Sequence, residues 1–168
     1  GDILGIDQEP EAVFFTRKRG ANAEIASIET YQNLKKVDLV VALDILEHCQ
    51  DDKTAIKNVN RILKPGGFAI IFVPAFKIFW SEQDKVSHHF RRYTYRELKS
   101  KFENAGFKTI TQSYFNFLLA PPIFIVRKTI NLLNILNIKT DMEIKLNNQF
   151  LNWIFKTIFM CEYRQFSL

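Results

Sequence analysis

The segment from Asp44 to His48 places an aspartate, a glutamate and a histidine directly after an apolar run. That run, residues 37–43, is nearly continuous and rich in β-branched side chains, which is typical of a strand covered on both faces of a parallel sheet. Ligands bind beyond the carboxyl ends of such strands. His48 titrates near neutral pH and is therefore a candidate general base. The alternative is that Asp44 and His48 cap the following turn and helix.

A second group of polar and aromatic side chains lies in residues 74–93, a connection longer than the usual one of about 2–6 residues. This density predicts a lid or a clamp on a substrate, in which an arginine pairs with a carboxylate or phosphate. The alternative is an internal ion pair, for example between Asp84 and one arginine. No metal-ligand spacing in the sequence is convincing, and no metal site is expected; His88 and His89 are adjacent, and side chains of adjacent residues usually diverge. The residues concerned are Trp80, Asp84, His88, His89, Arg91, Arg92 and Tyr93.

Asp7 ends a third apolar run, Ile3-Leu4-Gly5-Ile6. In doubly wound folds, an acidic residue after the second strand receives ribose hydroxyls, and a glycine-rich turn lies about 20 residues earlier. Only six residues precede Asp7 here, so we expect the chain to start after that turn. The alternative is that Asp7 is simply a solvated carboxylate.

The elements that would position these residues alternate between strand and helix. This order predicts an α/β fold with a mostly parallel sheet. Gly20 and Gly106 are predicted to end helices, Asp51 or Asp52 to cap one, and Thr94 with Glu97 to form a capping box. The predicted helices are 10–19, 52–63 and one opened by Thr94, and the further strands are 23–28, 68–73 and 107–114.

From Leu118 onward two amphipathic segments, 123–138 and 149–163, predict helices appended to the sheet. We therefore expect an incomplete core in residues 1–117 and a helical segment, 118–168, packing on it. The longest apolar stretch, 115–126, is interrupted by polar and proline residues. Because it is shorter than the roughly 20 apolar residues of a membrane span, no transmembrane helix is expected.

The composition fits one globular domain, with 168 residues and a net charge of +5. The scattered basic residues are attributed to compositional bias, with a functional basic surface for acidic partners as the alternative. No nucleic-acid partner is expected. Cys49 and Cys161 lie in unrelated contexts, which favours a reducing compartment over a disulfide framework.

Five segments, in this order and spacing, resemble class I S-adenosylmethionine-dependent methyltransferases. The resemblance runs from Gly1 to about Phe117, and more loosely to Glu162. It extends to a subgroup whose signature is similar to His-Phe-Arg-Arg-Tyr-Thr. The segments are Leu4-Gly5-Ile6-Asp7, Val37 to His48, Asn60 to Gly67, His89 to Thr94 and Glu103 to Phe107.

The resemblance implies a Rossmann-like, doubly wound sheet of strand order 3-2-1-4-5-7-6, and we expect its first and last strands to be missing here. It implies S-adenosylmethionine as the cofactor, with Asp7 on the ribose and Ser27 where the family usually has an acidic residue near the adenine. The implied cofactor-binding residues are Asp7, Gln8, Ser27, Ile28, Ala42, Leu43 and Asp44. The implied acceptor-side, catalytic residues are His48, His89, Arg91, Arg92 and Tyr93.

The function expected from the resemblance is methyl transfer to a small-molecule, lipid-linked or sugar-linked acceptor, in the cytoplasm or peripherally at a membrane. The 168 residues alone are expected to be inactive. A nucleotide-dependent oxidoreductase is one alternative, since Asp7 fits that class too, although the segments after residues 43 and 63 do not. A non-catalytic interaction domain is the other alternative. The oligomeric state is left open.

Overall fold

The computed structural model describes residues 1–32, 35–115, 120–121, 124–125 and 149–166. The chain divides into two units, one of Gly1–Lys77 with Glu82–Thr111 and one of Ile78–Ser81 with Gln112–Leu168. The boundary predicted between residues 117 and 118 lies outside the described residues. It stays a prediction, as does the packing of 118–168 on the core.

The first unit alternates strands and helices, which confirms the α/β class. A short 3₁₀ turn, Leu46–His48, follows the third strand. The strands are β1 (Gly5–Asp7), β2 (Ala23–Ile25), β3 (Val37–Leu43) and β4 (Leu63–Phe72). The helices are α1 (Pro10–Lys18), α2 (Asp52–Ile62), α3 (Glu82–Val86) and α4 (Tyr95–Asn104).

The four strands form two parallel pairs, β1 with β2 and β3 with β4. The expected strand order counts a first strand that we expect to be missing here, so β1 to β4 correspond to its strands 2 to 5. In that order strands 2 and 3 are neighbours, and so are strands 4 and 5. Parallel strands run in the same direction, so Asp7 and the residues after Leu43 lie at carboxyl ends, where ligands bind in such folds. In the second pair Leu43 is in register with Phe72.

The core lies between the β3–β4 pair and α2. Ala55, Ile56 and Val59 of α2 are fully buried, and Ala42 of β3 belongs to the same cluster. The opposite face of the pair carries Leu39, Val41, Leu43, Phe68, Ile70 and Phe72, which are 42–58% exposed. The prediction that β3 is covered on both faces therefore holds for one face.

Local sequence signals account for the helix ends. Asp51 caps α2 by accepting hydrogen bonds from the backbone N–H groups of Lys53 and Thr54, and Thr94 caps α4 by accepting one from Glu97. Gly20 and Gly106, which follow α1 and α4, have φ of 86° and 90°. Such left-handed backbone favours glycine. The helix caps and the two helix-ending glycines are thus confirmed, and the structure shows the Thr94 half of the predicted capping box.

Three predicted strands differ from the structure. β2 ends at Ile25 rather than residue 28, because the Ser27 carbonyl accepts the N–H groups of Thr30 and Tyr31 in a turn. β4 begins at Leu63 rather than residue 68, since the Pro-Gly-Gly segment lies within a register shift of the ladder. The strand predicted over 107–114 is wrong: the Phe107 N–H closes the end of α4. An alternating pattern forms a strand only beside a pairing neighbour.

In the second unit, helix α5 (Gln149–Phe166) confirms the helix predicted over 149–163. Of the helix predicted over 123–138, only residues 124 and 125 are described, and both are helical. Phe124 packs edge-on against Phe79, with ring centroids 5.5 Å apart. Phe115 packs in the same way on Phe159 at 5.1 Å. Among the described residues, no helix has the length and apolar character needed to span a membrane.

Candidate active site

Asp7 lies at the carboxyl end of β1, where the chain turns into α1. Its Oδ1 accepts the backbone N–H of Glu9 at 2.8 Å, which orients the carboxylate at the start of the turn. Asp7 and the adjacent Gln8 are both exposed. A carboxylate has about four lone-pair sites, so this one can also accept hydrogen bonds from hydroxyl groups. The position fits the ribose contact expected of it.

After β2 the chain presents Ser27 and buries Ile28. The Ser27 hydroxyl accepts the Glu29 N–H at 3.2 Å, and its own proton can be donated, for example to an adenine nitrogen. The Ile28 side chain belongs to the core, and its carbonyl accepts the Asn58 side-chain amide at 2.8 Å. A cofactor role for Ile28 could therefore involve only its backbone.

After β3 the backbone turns sharply at Asp44, which has a φ of 52°. Aspartate is among the few non-glycine residues enriched in this region. The Asp44 N–H donates to the Phe72 carbonyl at 2.9 Å, so the turn stays tied to β4. Ala42 is 2% exposed and faces the core, whereas Leu43 is exposed. These positions fit a backbone contact with the methionine part of the cofactor.

Within the 3₁₀ turn, Glu47 points inward and His48 remains exposed. The carboxylate of Glu47 is fully buried, and neither oxygen has a hydrogen-bond partner among the described residues. Burial raises the pKa of Glu47 to about 7, and the negative charge of Asp44 adds to the rise while His89 opposes it. Glu47 therefore changes charge near neutral pH.

His89 comes from the loop after α3 and meets His48, with ring centroids 4.7 Å apart and planes at 82°. Partial desolvation and the positive charge of His89 lower the pKa of His48. The Nδ1 atom of His89 lies 3.0 Å from Asp84 Oδ1. A carboxylate accepts only, so Nδ1 carries a proton, and in the neutral form of the ring Nε2 is the accepting nitrogen.

Asp84 is buried and holds the loop after α3 in place through its hydrogen bonds and ion pair. Arg92 donates to both of its oxygens, at 2.7 and 3.1 Å, and to the Ala75 carbonyl at 3.0 Å. The Asp84 carbonyl also accepts the His89 N–H at 2.8 Å. This bidentate pair is the internal ion pair that the sequence left as an alternative.

A second buried carboxylate, Asp52 at the start of α2, anchors the end of the loop. It accepts the Tyr93 hydroxyl at 2.9 Å and pairs with Lys101 at 2.8 Å and Arg91 at 3.0 Å. Burial alone would raise the pKa of Asp52, but hydrogen bonds from Lys101 and Tyr93 and the charge of Arg91 outweigh it and lower the pKa. Burial and Asp52 together raise the pKa of Tyr93.

The structure brings together only part of the predicted catalytic set. His48 and His89 meet, whereas the polar atoms of Arg91, Arg92 and Tyr93 bind Asp52, Asp84 and backbone carbonyls. These contacts favour a structural role for the last three residues, and their assignment to the acceptor side stays a prediction. Asp44 and Ser27 are accessible at strand ends, as expected for cofactor contacts that also remain predictions.

The sequence placed Glu47 beside the expected cleft without giving it a role, and it identified Asp52 only as a possible helix cap. Glu47 is followed by an exposed histidine, and only the 3₁₀ turn decides which of the two faces inward. Asp52 had a signal, because an acidic residue suits the first turn of a helix. That signal does not indicate that Asp52 contacts Arg91 and Tyr93 from the loop and Lys101 from α4.

Comparisons with known proteins find similarity to methyltransferases in the first part of the chain. Residues 1–71 match the family model described as "Methyltransferase domain". A Mycolicibacterium smegmatis protein named as a probable S-adenosylmethionine-dependent methyltransferase is 27% identical over 115 residues. Over these residues the chain is similar to S-adenosylmethionine-dependent methyltransferases. S-adenosylmethionine is the cofactor named for that relative, and the match favours this class over the nucleotide-dependent oxidoreductases.

Solved structures show the same fold. A Thermotoga maritima S-adenosylmethionine-dependent methyltransferase has a TM-score of 0.55 and 24% identity, over 63% of this chain and 55% of its own. A Haloferax volcanii protein assigned as a methyltransferase, solved with the Trm112 methyltransferase activator, has a TM-score of 0.62 and 21% identity, over 70% and 56%. The M. smegmatis alignment covers 63% of this chain and 43% of the relative.

Proposed function

We propose that the whole protein transfers a methyl group from S-adenosylmethionine to a small-molecule, lipid-linked or sugar-linked acceptor bound over His48 and His89. The observation that carries the proposal is the position of Asp7 and His48 beyond carboxyl ends of parallel strands, with His89 in ring contact with His48. Asp7 would hold the ribose, Ser27 the adenine, and the backbone of Ala42 and Leu43 the methionine part. The cofactor, when bound, supplies the methyl group on a sulfonium.

Positioning of the acceptor is the main task of the chain's own residues, because methyl transfer needs little covalent help from the protein. An acceptor hydroxyl or ammonium group must also lose a proton. His89 suits this role, since Asp84 fixes its Nδ1 proton and leaves Nε2 as the accepting nitrogen. His48 is the second candidate, and its lowered pKa favours the neutral ring that can accept a proton.

The proposal is tested by measuring transfer of radiolabelled methyl and cofactor affinity for the product of the complete gene. His89→Gln should reduce turnover far more than affinity for S-adenosylmethionine. His88→Asn is the matched control, because His88 is exposed and has a φ of 56° that asparagine tolerates. A loss of cofactor affinity with unchanged turnover would reassign the loop to cofactor binding.

For the 168 residues alone, we propose that S-adenosylmethionine binds weakly or not at all. Support comes from the sheet, whose described strands form two separate pairs, and from the 43% of the M. smegmatis relative that the alignment covers. Calorimetric titration with S-adenosylmethionine and S-adenosylhomocysteine should show no saturable heat. Micromolar binding would refute this part. A non-catalytic role for the 168 residues remains the alternative.

A lipid-linked acceptor is supported by helix α5, which exposes Trp153, Phe159 and Met160 by 62%, 39% and 43%. Apolar side chains on a helix surface can enter a membrane interface. The complete gene product should then float with anionic liposomes at low salt, and no co-flotation would exclude this acceptor class. We place the protein in the cytoplasm or at its membrane face, and the free thiols of Cys49 and Cys161 suit a reducing compartment.

A further inference from the structure

We propose that Glu47, His48 and His89 form a binding site for a divalent transition-metal ion, with Zn²⁺ as the first candidate. One ligand atom from each residue lies within 4.8 Å of the other two. Two residues come from the turn after β3, and the third comes from the loop after α3. The inference does not depend on the proposed methyl transfer.

The buried carboxylate of Glu47 is the strongest reason for an ion. Both of its oxygens are buried, and within the described part of the chain neither receives a hydrogen bond. An isolated buried carboxylate is costly unless it is protonated, paired or bound to a metal. A bound cation would compensate the negative charge of this carboxylate.

His89 is oriented as metal-bound histidines are. Such a histidine usually donates its second ring N–H to a carboxylate, which fixes the tautomer and makes the other nitrogen a better ligand. Asp84 is the carboxylate that accepts this N–H: its Oδ1 lies 3.0 Å from His89 Nδ1. Arg92 in turn donates to both oxygens of Asp84 and holds it in place. The free lone pair of His89 is therefore on Nε2.

His48 completes the set from the accessible side. His48 is exposed, so an ion can reach the site and the ring can rotate. With bonds of 2.0–2.2 Å, tetrahedral ligand atoms lie about 3.4 Å apart. The ligand atoms must therefore close by up to about 1.4 Å from the 4.8 Å limit when the ion binds.

Two histidines and one glutamate leave the fourth tetrahedral position open, as in catalytic rather than structural zinc sites. Water or an oxygen of the acceptor would occupy it, and the metal would act there as a Lewis acid. Ligation and proton acceptance use the same histidine nitrogens, so the two roles exclude each other at any moment. The metal experiment therefore distinguishes them.

The test is a titration of the chelator-treated 168-residue chain with Co²⁺, followed by visible absorption, and then with Zn²⁺ by calorimetry. We expect one equivalent of Co²⁺ to give the intense bands of a tetrahedral site, which Zn²⁺ then removes. His48→Gln and Glu47→Gln should each weaken binding by at least about 10-fold. His88→Asn, the matched control, should bind like the wild type. Circular dichroism checks that each variant is folded.

The proposal is overturned if no saturable one-to-one binding occurs, or if His48→Gln binds as tightly as the wild type. Equal weakening by His88→Asn would also overturn it, since the ion would then be held elsewhere. Because His48 is exposed, its substitution does not threaten folding, so a folding defect of Glu47→Gln would not obscure the result. No cofactor is present in this experiment, and its failure would leave the proposed methyl transfer untouched.

Discussion

Replacement of Tyr93 by phenylalanine tests the cluster in which Tyr93, Arg91 and Lys101 contact the buried Asp52. Tyr93 is 2% exposed, and its hydroxyl donates to Asp52 Oδ2 at 2.9 Å. Phenylalanine keeps the ring in the core and removes one hydrogen bond to a charged group, which is worth about 1.5–3 kcal/mol. Asp52 keeps its ion pairs with Arg91 and Lys101, so no charge is left unpaired.

The matched comparison is Asp52→Asn, which removes the charge and keeps the shape. It leaves the cations of Arg91 and Lys101 without their carboxylate, and breaking a buried pair in this way costs about 3–5 kcal/mol. Urea unfolding at pH 7, followed by far-UV circular dichroism, should therefore rank the free energies of unfolding as wild type, Tyr93→Phe, then Asp52→Asn. A loss below about 0.5 kcal/mol for Tyr93→Phe, or one larger than that of Asp52→Asn, would refute the reasoning.

The stability that the Asp52 cluster contributes depends on pH with a defined sign. The pKa of Asp52 in the folded chain lies below the ordinary 3.8, so its stabilising effect is complete above about that pH. The effect is lost as the pH falls through the lowered folded value. The stability difference between the wild type and Asp52→Asn should therefore be constant from pH 5 to 7 and shrink below pH 3.8. A difference that grows in acid would contradict the assignment.

Three further predictions concern local features. Thr94→Ala should lower the free energy of unfolding by about 1 kcal/mol by removing the cap of α4, whereas Thr94→Ser should keep the cap; urea unfolding checks both. Gly67→Ala should cost about 1–3 kcal/mol in the same assay, because the added methyl would lie 3.0 Å from the Asp38 carbonyl; a neutral result would show that the strand yields. Cys49 is buried and its pKa is raised to about 11, so mass spectrometry of the native chain alkylated at pH 8 should find label on Cys161 first, and equal rates would contradict this burial.

The sequence predicted the elements whose signals are local. The run from Val37 to Leu43 is apolar except for Asp38 and rich in valine, a pattern that suits a strand with buried neighbours. Helix caps at Asp51 and Thr94 depend on one side chain and nearby N–H groups, so they too could be identified. The strand expected after Gly106 failed because strand formation needs a partner, and a pattern within the segment does not reveal one.

The candidate site was predictable in place but not in detail. Strand ends identified Asp7 and the region of His48 correctly as accessible positions. Whether Arg92 binds a substrate or Asp84 depends on how the loop folds back, which no spacing along the chain shows. The inward direction of Glu47 likewise follows from the turn at Asp44, whose left-handed backbone is a property of the folded chain.

Equilibrium binding of S-adenosylmethionine to the product of the complete gene tests the central claim most directly. Asp7→Asn removes the carboxylate proposed to hold the ribose, and Asp2→Asn is a matched control at another exposed position. We predict saturable binding by the wild type and the control, and affinity lower by about 10-fold or more for Asp7→Asn. Absence of saturable binding by the wild type, or equal affinity of Asp7→Asn, would contradict the account.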